Sequence, residues 1–117
     1  MRRGDVYNAR VDPSEGSEQS GLRPVIILSR DGINANGPVV VAVPCTTYRG
    51  KRLFPGDVRI AAPEGGLTAD SVALGGQIKA LSKSRFGGRR GAVSTEVIKE
   101  LERAIAIVLD LSNCSQK

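Results

Sequence analysis

The chain has 117 residues, which is the size of one domain with one modest core, so one functional site is expected rather than several. Hydrophobic residues make up 40% and charged residues 25%, which excludes a disordered chain, and the aromatic share of 3% argues against a base-stacking sheet. Lysine plus arginine number 17 against 12 acids, a net charge of +5 that favours a polyanionic partner, and the lack of any histidine removes the commonest general base and metal ligand.

In chain order, residues 4–11 alternate Tyr7, Ala9 and Val11 against Asp5, Asn8 and Arg10, the pattern of an opening strand that ends at Asp12-Pro13. A polar loop follows, Gly16-Ser17-Glu18-Gln19-Ser20-Gly21-Leu22-Arg23-Pro24, and it leads straight into an apolar run over 24–29 that reads as a buried central strand with Pro24 at its first position. Asp31-Gly32 and Asn36-Gly37 are hairpin-turn dipeptides, and 38–47 reads as a second buried strand finishing in Thr46 and Thr47. Residues 48–56 form a basic loop with Arg49, Lys51 and Arg52; short strands are predicted over 57–61, 70–74 and 77–81, with a turn at 63–66. Residues 86–91 read as a flexible basic connection, and Ser94 or Thr95 caps a helix running to about Leu111. Its stripe of Val97, Ile98, Leu101, Ala104, Ile105 and Val108 is apolar, for the barrel or for a second subunit.

Several short strands at close spacing followed by one helix predict a mainly β fold with α, a small barrel forming a single domain over 1–117. Cys45 and Cys114 have neither disulfide-framework nor metal-ligand spacing, and Met1-Arg2-Arg3-Gly4-Asp5 lacks an apolar leader, so a reduced, cytoplasmic protein without a membrane span is expected. The basic residues crowd into 49–52 and into Lys79, Lys83, Arg85, Arg89 and Arg90, as if flanking a groove.

The strand ends bring chemistry together. If the strands over 24–29 and 38–47 are antiparallel neighbours, Glu18, Gln19 and Arg23 at the start of one meet Thr46 and Thr47 at the end of the other. A phosphodiester held there would meet a guanidinium, hydroxyl donors and a carboxylate, a set that serves phosphoryl transfer by charge stabilisation and calls for no metal or cofactor. On RNA the ribose 2′-OH supplies the nucleophile. Arg23, with a pKa above about 12, suits charge stabilisation or proton donation; Glu18 is the candidate base; Thr46 would hold the phosphate, with Thr47 second. Loop composition alone also fits a solvated segment in which Glu18 merely pairs with Arg23.

Gly16 to Pro24, Val43-Pro44-Cys45-Thr46-Thr47, and Asp70-Ser71-Val72-Ala73-Leu74 with Gln77-Ile78-Lys79 strongly resemble the MazF/PemK family of toxin endoribonucleases, and the similarity runs from Arg3-Gly4-Asp5-Val6 into the final helix. The resemblance implies an SH3-like barrel with a C-terminal α-helix, a homodimer with an RNA groove across or beside its interface, and metal-independent cleavage of single-stranded RNA, chiefly messenger RNA, at a short sequence. It implies catalytic roles for Arg23 and Thr46, with Glu18 implicated in some members; Ser17, Gln19, Thr47, Arg49, Lys51, Arg52, Gln77 and Lys79 are the candidate substrate contacts beside them, the basic loop over 48–56 carrying more charge than the family pattern. Products would be a 2′,3′-cyclic phosphate and a 5′-hydroxyl, and an acidic, MazE-like antitoxin would block the groove. Asn8 departs from the tryptophan common in the family, and Gly76 stands where an acidic residue often precedes Gln77, so the cleavage sequence does not carry over. A gyrase-binding toxin of the same fold and a non-catalytic nucleic-acid-binding barrel are the alternatives.

Overall fold

A computed structural model describes residues 1–11 and 21–111. Seven strands and two α-helices follow in order: β1 (Asp5–Val11), β2 (Gly21–Ile27), α1 (Asp31–Asn36), β3 (Val39–Thr47), β4 (Asp57–Ile60), β5 (Ser71–Leu74), β6 (Lys79–Ser82), β7 (Phe86–Ala92) and α2 (Thr95–Leu109). All strand pairs are antiparallel, in the order β4-β5-β3-β2-β1-β7, with β6 also on β3.

Strand β3 is the axis of this arrangement. At Ala42 it pairs with Ile27 of β2 on one side and with Lys79 of β6 on the other. Further on, Cys45, Thr46 and Thr47 pair with Ala73, Val72 and Ser71 of β5. The short 3-10 turn Gly75–Gln77 joins β5 to β6. The two ends of the sheet are drawn together because the 3-10 turn Glu64–Gly66, just after β4, packs on β7: a Cβ on Gly91 would lie 2.8 Å from the Gly65 carbonyl carbon, and one on Gly66 would run into the Arg90 carbonyl. Only glycine allows that approach.

One core cluster lies between the sheet and α2, with Val6, Ile26, Val43, Cys45, Val58, Ile60 and Ala73 facing Val97, Leu101, Ala104 and Ile105. The opposite face of β1 and β2 carries Ala9, Val11 and Val25 with Ala42 and Leu81, against Tyr7 and Phe86, whose rings meet edge-on at 5.8 Å. Tyr7, Ala9 and Val11 of β1 thus share a face as predicted, whereas Asp5, expected on the polar face, is buried, and Val6 joins the core under α2. Ser94 caps α2, its Oγ accepting from Val97 N at 3.2 Å, and Asp110 closes the helix in the left-handed region with Leu111 N donating to Ala106 O. The apolar stripe thus serves the barrel up to Ile105, whereas Ile107, Val108 and Leu109 beyond it are exposed.

The structure departs from the sequence expectation in four places. Asp31 to Asn36 form a helical turn rather than hairpin turns, because Asn34 is buried and its side-chain amide donates to Ser29 O while its Oδ1 accepts from Ser29 Oγ. Strand β2 begins three residues before Pro24, since Gly21, Leu22 and Arg23 pair with Val11, Arg10 and Ala9 of β1. Gln77 sits in a 3-10 turn ahead of β6. Residues 86–92 are a strand, not a flexible connection: β1 supplies its partner and the Glu64–Gly66 turn packs where Gly91 lacks a Cβ.

Candidate functional site

The site arises where β2 and β3 part. Their ladder runs Ile27↔Ala42, Ile26↔Val43 and Val25↔Pro44, then stops. Hydrogen-bonded pairs alternate along an antiparallel ladder, and Leu28 N donating to Val41 O at 2.9 Å fixes the parity, so Pro24 opposite Cys45 would be the next pair to exchange bonds. Proline has no N–H to give. The edge of β3 from Cys45 onward is left without β2, while its other edge continues on β5.

A cleft of about 190 Å³ opens at this divergence. Arg23 and Pro24 line one wall, Cys45, Thr46 and Thr47 another, Thr68, Ala69 and Ser71 a third, and Arg90 reaches in from β7. Continued past the last pair, the same register sets Arg23 opposite Thr46. The two residues therefore share a cleft by a register argument that the sequence anticipated. Among the described residues the lining holds two guanidiniums, the hydroxyls of Thr46, Thr47, Thr68 and Ser71, and no carboxylate. Such a wall accepts an anion.

Several expected site residues fall elsewhere. Arg49, Lys51 and Arg52 are exposed on the loop beyond Thr47, and none of them lines the cleft. Lys79 pairs with Ala42, four residues or roughly 13 Å back along β3 from Thr46. Gln77 lies in the turn before it. Ser17, Glu18 and Gln19 lie outside the described residues. Arg90 lines the cleft yet was visible in the sequence only as one of a run of basic residues; its signal is the Arg89-Arg90 pair set among glycines.

Two ionisable groups near the cleft are perturbed. Burial pushes the Cys45 thiol up to about 12, with the Arg90 guanidinium pulling the other way, so this core-facing thiol is neutral and inert. Asp70 is held below the ordinary carboxylate range, first by the Ala62 N–H and then by Arg59 at 3.1 Å. That pair fixes the strand ends: Arg59 also lies 4.4 Å from the centroid of the Tyr48 ring, and Tyr48 N donates to Asp70 O at 2.8 Å. The third wall of the cleft is thereby tied to the end of β3.

The fold and cleft define a class, a small antiparallel barrel with a C-terminal helix and a cationic cleft at a split between strands. A crystal structure of MazF from Deinococcus radiodurans has this fold, with a TM-score of 0.80 over 94% of this chain and 96% of that one at 23% identity. A structure titled as an endoribonuclease in complex with its cognate antitoxin, from a mycobacterial species, matches at a TM-score of 0.75 and 29% identity over 95% and 96% of the two chains. The endoribonuclease MazF of Staphylococcus saprophyticus is 40% identical over 111 residues, 95% of this chain and 92% of that protein. The profile of the PemK-like, MazF-like toxins of type II toxin-antitoxin systems matches residues 2–109. The chain belongs to the PemK/MazF toxin family.

Proposed function

We propose that the chain is an endoribonuclease toxin, a single catalytic domain that cuts single-stranded RNA, chiefly messenger RNA and so translation, at a short sequence and without a metal ion. The observation that carries this reading is the meeting of Arg23 and Thr46 in one cleft whose described lining supplies guanidiniums and hydroxyls and no carboxylate. In the proposed step the ribose 2′-OH loses its proton to a base, for which Glu18 is the candidate. The 2′ oxygen attacks the adjacent phosphorus, the bond from phosphorus to the 5′ oxygen breaks, and that oxygen takes up a proton. A 2′,3′-cyclic phosphate and a 5′-hydroxyl result. Arg23 neutralises the extra charge on the phosphorane or protonates the leaving oxygen, while Thr46 donates a hydrogen bond to a phosphate oxygen.

The net charge of +5 and the cationic cleft fit both an RNA strand and an acidic antitoxin of the MazE kind as partners. The exposed apolar end of α2, with Ile107, Val108 and Leu109, supports a homodimer. The mycobacterial relative was solved with its antitoxin. The test is incubation of the purified chain with a long, varied transcript in EDTA, with new 5′-hydroxyl ends mapped. Cleavage at one recurring short sequence is the expected result; intact RNA would overturn the reading, and inhibition of gyrase in its place would favour the non-nuclease toxin.

A further inference from the structure

Arg90 owes its place in the cleft to a fault in the sheet. Strand β7 pairs Gly91 with Val6 and Arg89 with Tyr7, so Arg90 is the extra residue of a β-bulge. Bulges re-aim side chains. Two acceptors then hold the guanidinium: Nη1 donates to Asn8 Oδ1 at 3.1 Å and Nε to Gly66 O at 3.3 Å. Those bonds leave Nη2 for a ligand, and Arg90 makes no other side-chain hydrogen bond among the described residues. Two glycines maintain the bulge, because a Cβ on Gly66 would lie 2.0 Å from the Arg90 carbonyl oxygen and one on Gly91 would lie 2.8 Å from the Gly65 carbonyl carbon. A cation carried by a bulge, anchored at two points and aimed into a cleft is more than an exposed basic residue needs for solubility.

We propose that Arg90 is a substrate-binding residue that grips a phosphate flanking the scissile one, and that Asn8 is its positioning residue. The inference rests on the endoribonuclease reading above. A phosphate is the better ligand than a base because the described cleft lining has no aromatic ring on which a base could stack, whereas its hydroxyls and two guanidiniums suit consecutive phosphates. Arg23 on β2 and Arg90 on β7 reach the cleft from either side of β1. A strand of RNA lying across β1 would present one phosphate to each.

The test uses the full chain and a single-stranded oligonucleotide of the mapped cleavage sequence with 2′-deoxy sugars, which lacks the attacking hydroxyl. Affinity is measured across a range of KCl concentrations for wild type, Arg90→Ala, Arg90→Lys and Asn8→Ala. Arg90→Ala is expected to bind about tenfold more weakly at low salt and to flatten the slope of log affinity against log salt by about 0.7, the loss of one phosphate contact to a single strand. Arg90→Lys keeps the slope but binds several-fold more weakly, since the fork is lost and the charge is not. Asn8→Ala does the same by releasing the guanidinium. An unchanged affinity and slope in Arg90→Ala, beside tight binding by wild type, overturns this inference alone. So does a change of base preference at constant slope, which would make Arg90 a reader of bases. If Arg90→Ala does not fold, unchanged affinity in both Arg90→Lys and Asn8→Ala overturns it. Failure of the wild type to bind or cut any RNA instead overturns the function on which the inference stands.

Discussion

The two halves of β3 share one strand and differ in what lies beside them. From Val39 to Pro44 the strand is paired with β6 over Val39–Ala42 and with β2 over Ala42–Pro44, and Val40, Ala42, Val43 and Pro44 are buried. From Cys45 to Thr47 it keeps only β5, and exposure rises stepwise from buried Cys45 to exposed Thr47. The first half makes the barrel and the second makes the cleft. What separates them is Pro24, which cannot donate across the ladder to Cys45, whereas Pro44 opposite Val25 sits where no bond to β2 is exchanged. A side chain on the open half is held by the closed half without being sealed by it.

That division predicts which changes cost activity and which cost stability. The largest effect falls on the open half and its partner: Arg23→Ala is expected to slow cleavage in EDTA about a thousandfold and Thr46→Ala about a hundredfold, with melting temperatures near wild type. Rates on a mapped substrate, with circular dichroism as the folding control, check this. In the closed half the loss reverses. Ile26→Ala, at a fully buried position opposite Val43, is expected to cost about 3 kcal/mol in urea unfolding while the rate per folded molecule stays within about twofold.

The boundary itself is testable with Pro24→Ala, which gives β2 an N–H opposite the Cys45 carbonyl. The ladder should gain a bond, the residue-24 amide should exchange slowly by NMR, and cleavage should fall about tenfold as the cleft narrows. A fast-exchanging amide with wild-type activity would remove Pro24 from the account. Smaller still is the contribution of the exposed loop: Arg49→Ala, Lys51→Ala and Arg52→Ala should each raise KM less than about threefold, and less again at high salt. A tenfold effect would bring that loop into the cleft.

The same boundary marks how much was legible beforehand. The period-2 pattern of β1, the apolar run of β3 and the stripe of α2 were readable because each is a local consequence of which face is buried. The meeting of Arg23 and Thr46 was readable too, since antiparallel pairing of two adjacent strands fixes which ends coincide. Strand β7 was not. Phe86-Gly87-Gly88-Arg89-Arg90-Gly91 has loop composition, and its Gly91 answers to the Glu64–Gly66 turn, about 25 residues away in sequence, rather than to any local need. Arg90 was hidden for that reason, and the turn dipeptides at 31–37 misled because the buried Asn34 contacts outweigh local turn preference.

Cys45 stands at the point where the strand changes partners, and its thiol sharpens the comparison at the smallest scale. It is fully buried on the core side of a residue pair whose other member, Thr46, faces the cleft. Folding raises its pKa from 9.0 to about 12, so the folded state keeps its proton where the unfolded state gives it up. Unfolded chains bind fewer protons in that window, and stability must therefore fall as pH rises from about 9 toward 12, the contribution being fully present below it. Tyrosines and lysines titrate in the same range, so the measurement is a difference. Urea unfolding of the wild type against Cys45→Ala, both in a Cys114→Ser background, should give parallel curves at neutral pH and a steeper alkaline loss for the wild type. Equal alkaline slopes would mean that water reaches the thiol, and hence that the opening between β2 and β3 extends past Thr46 into the core.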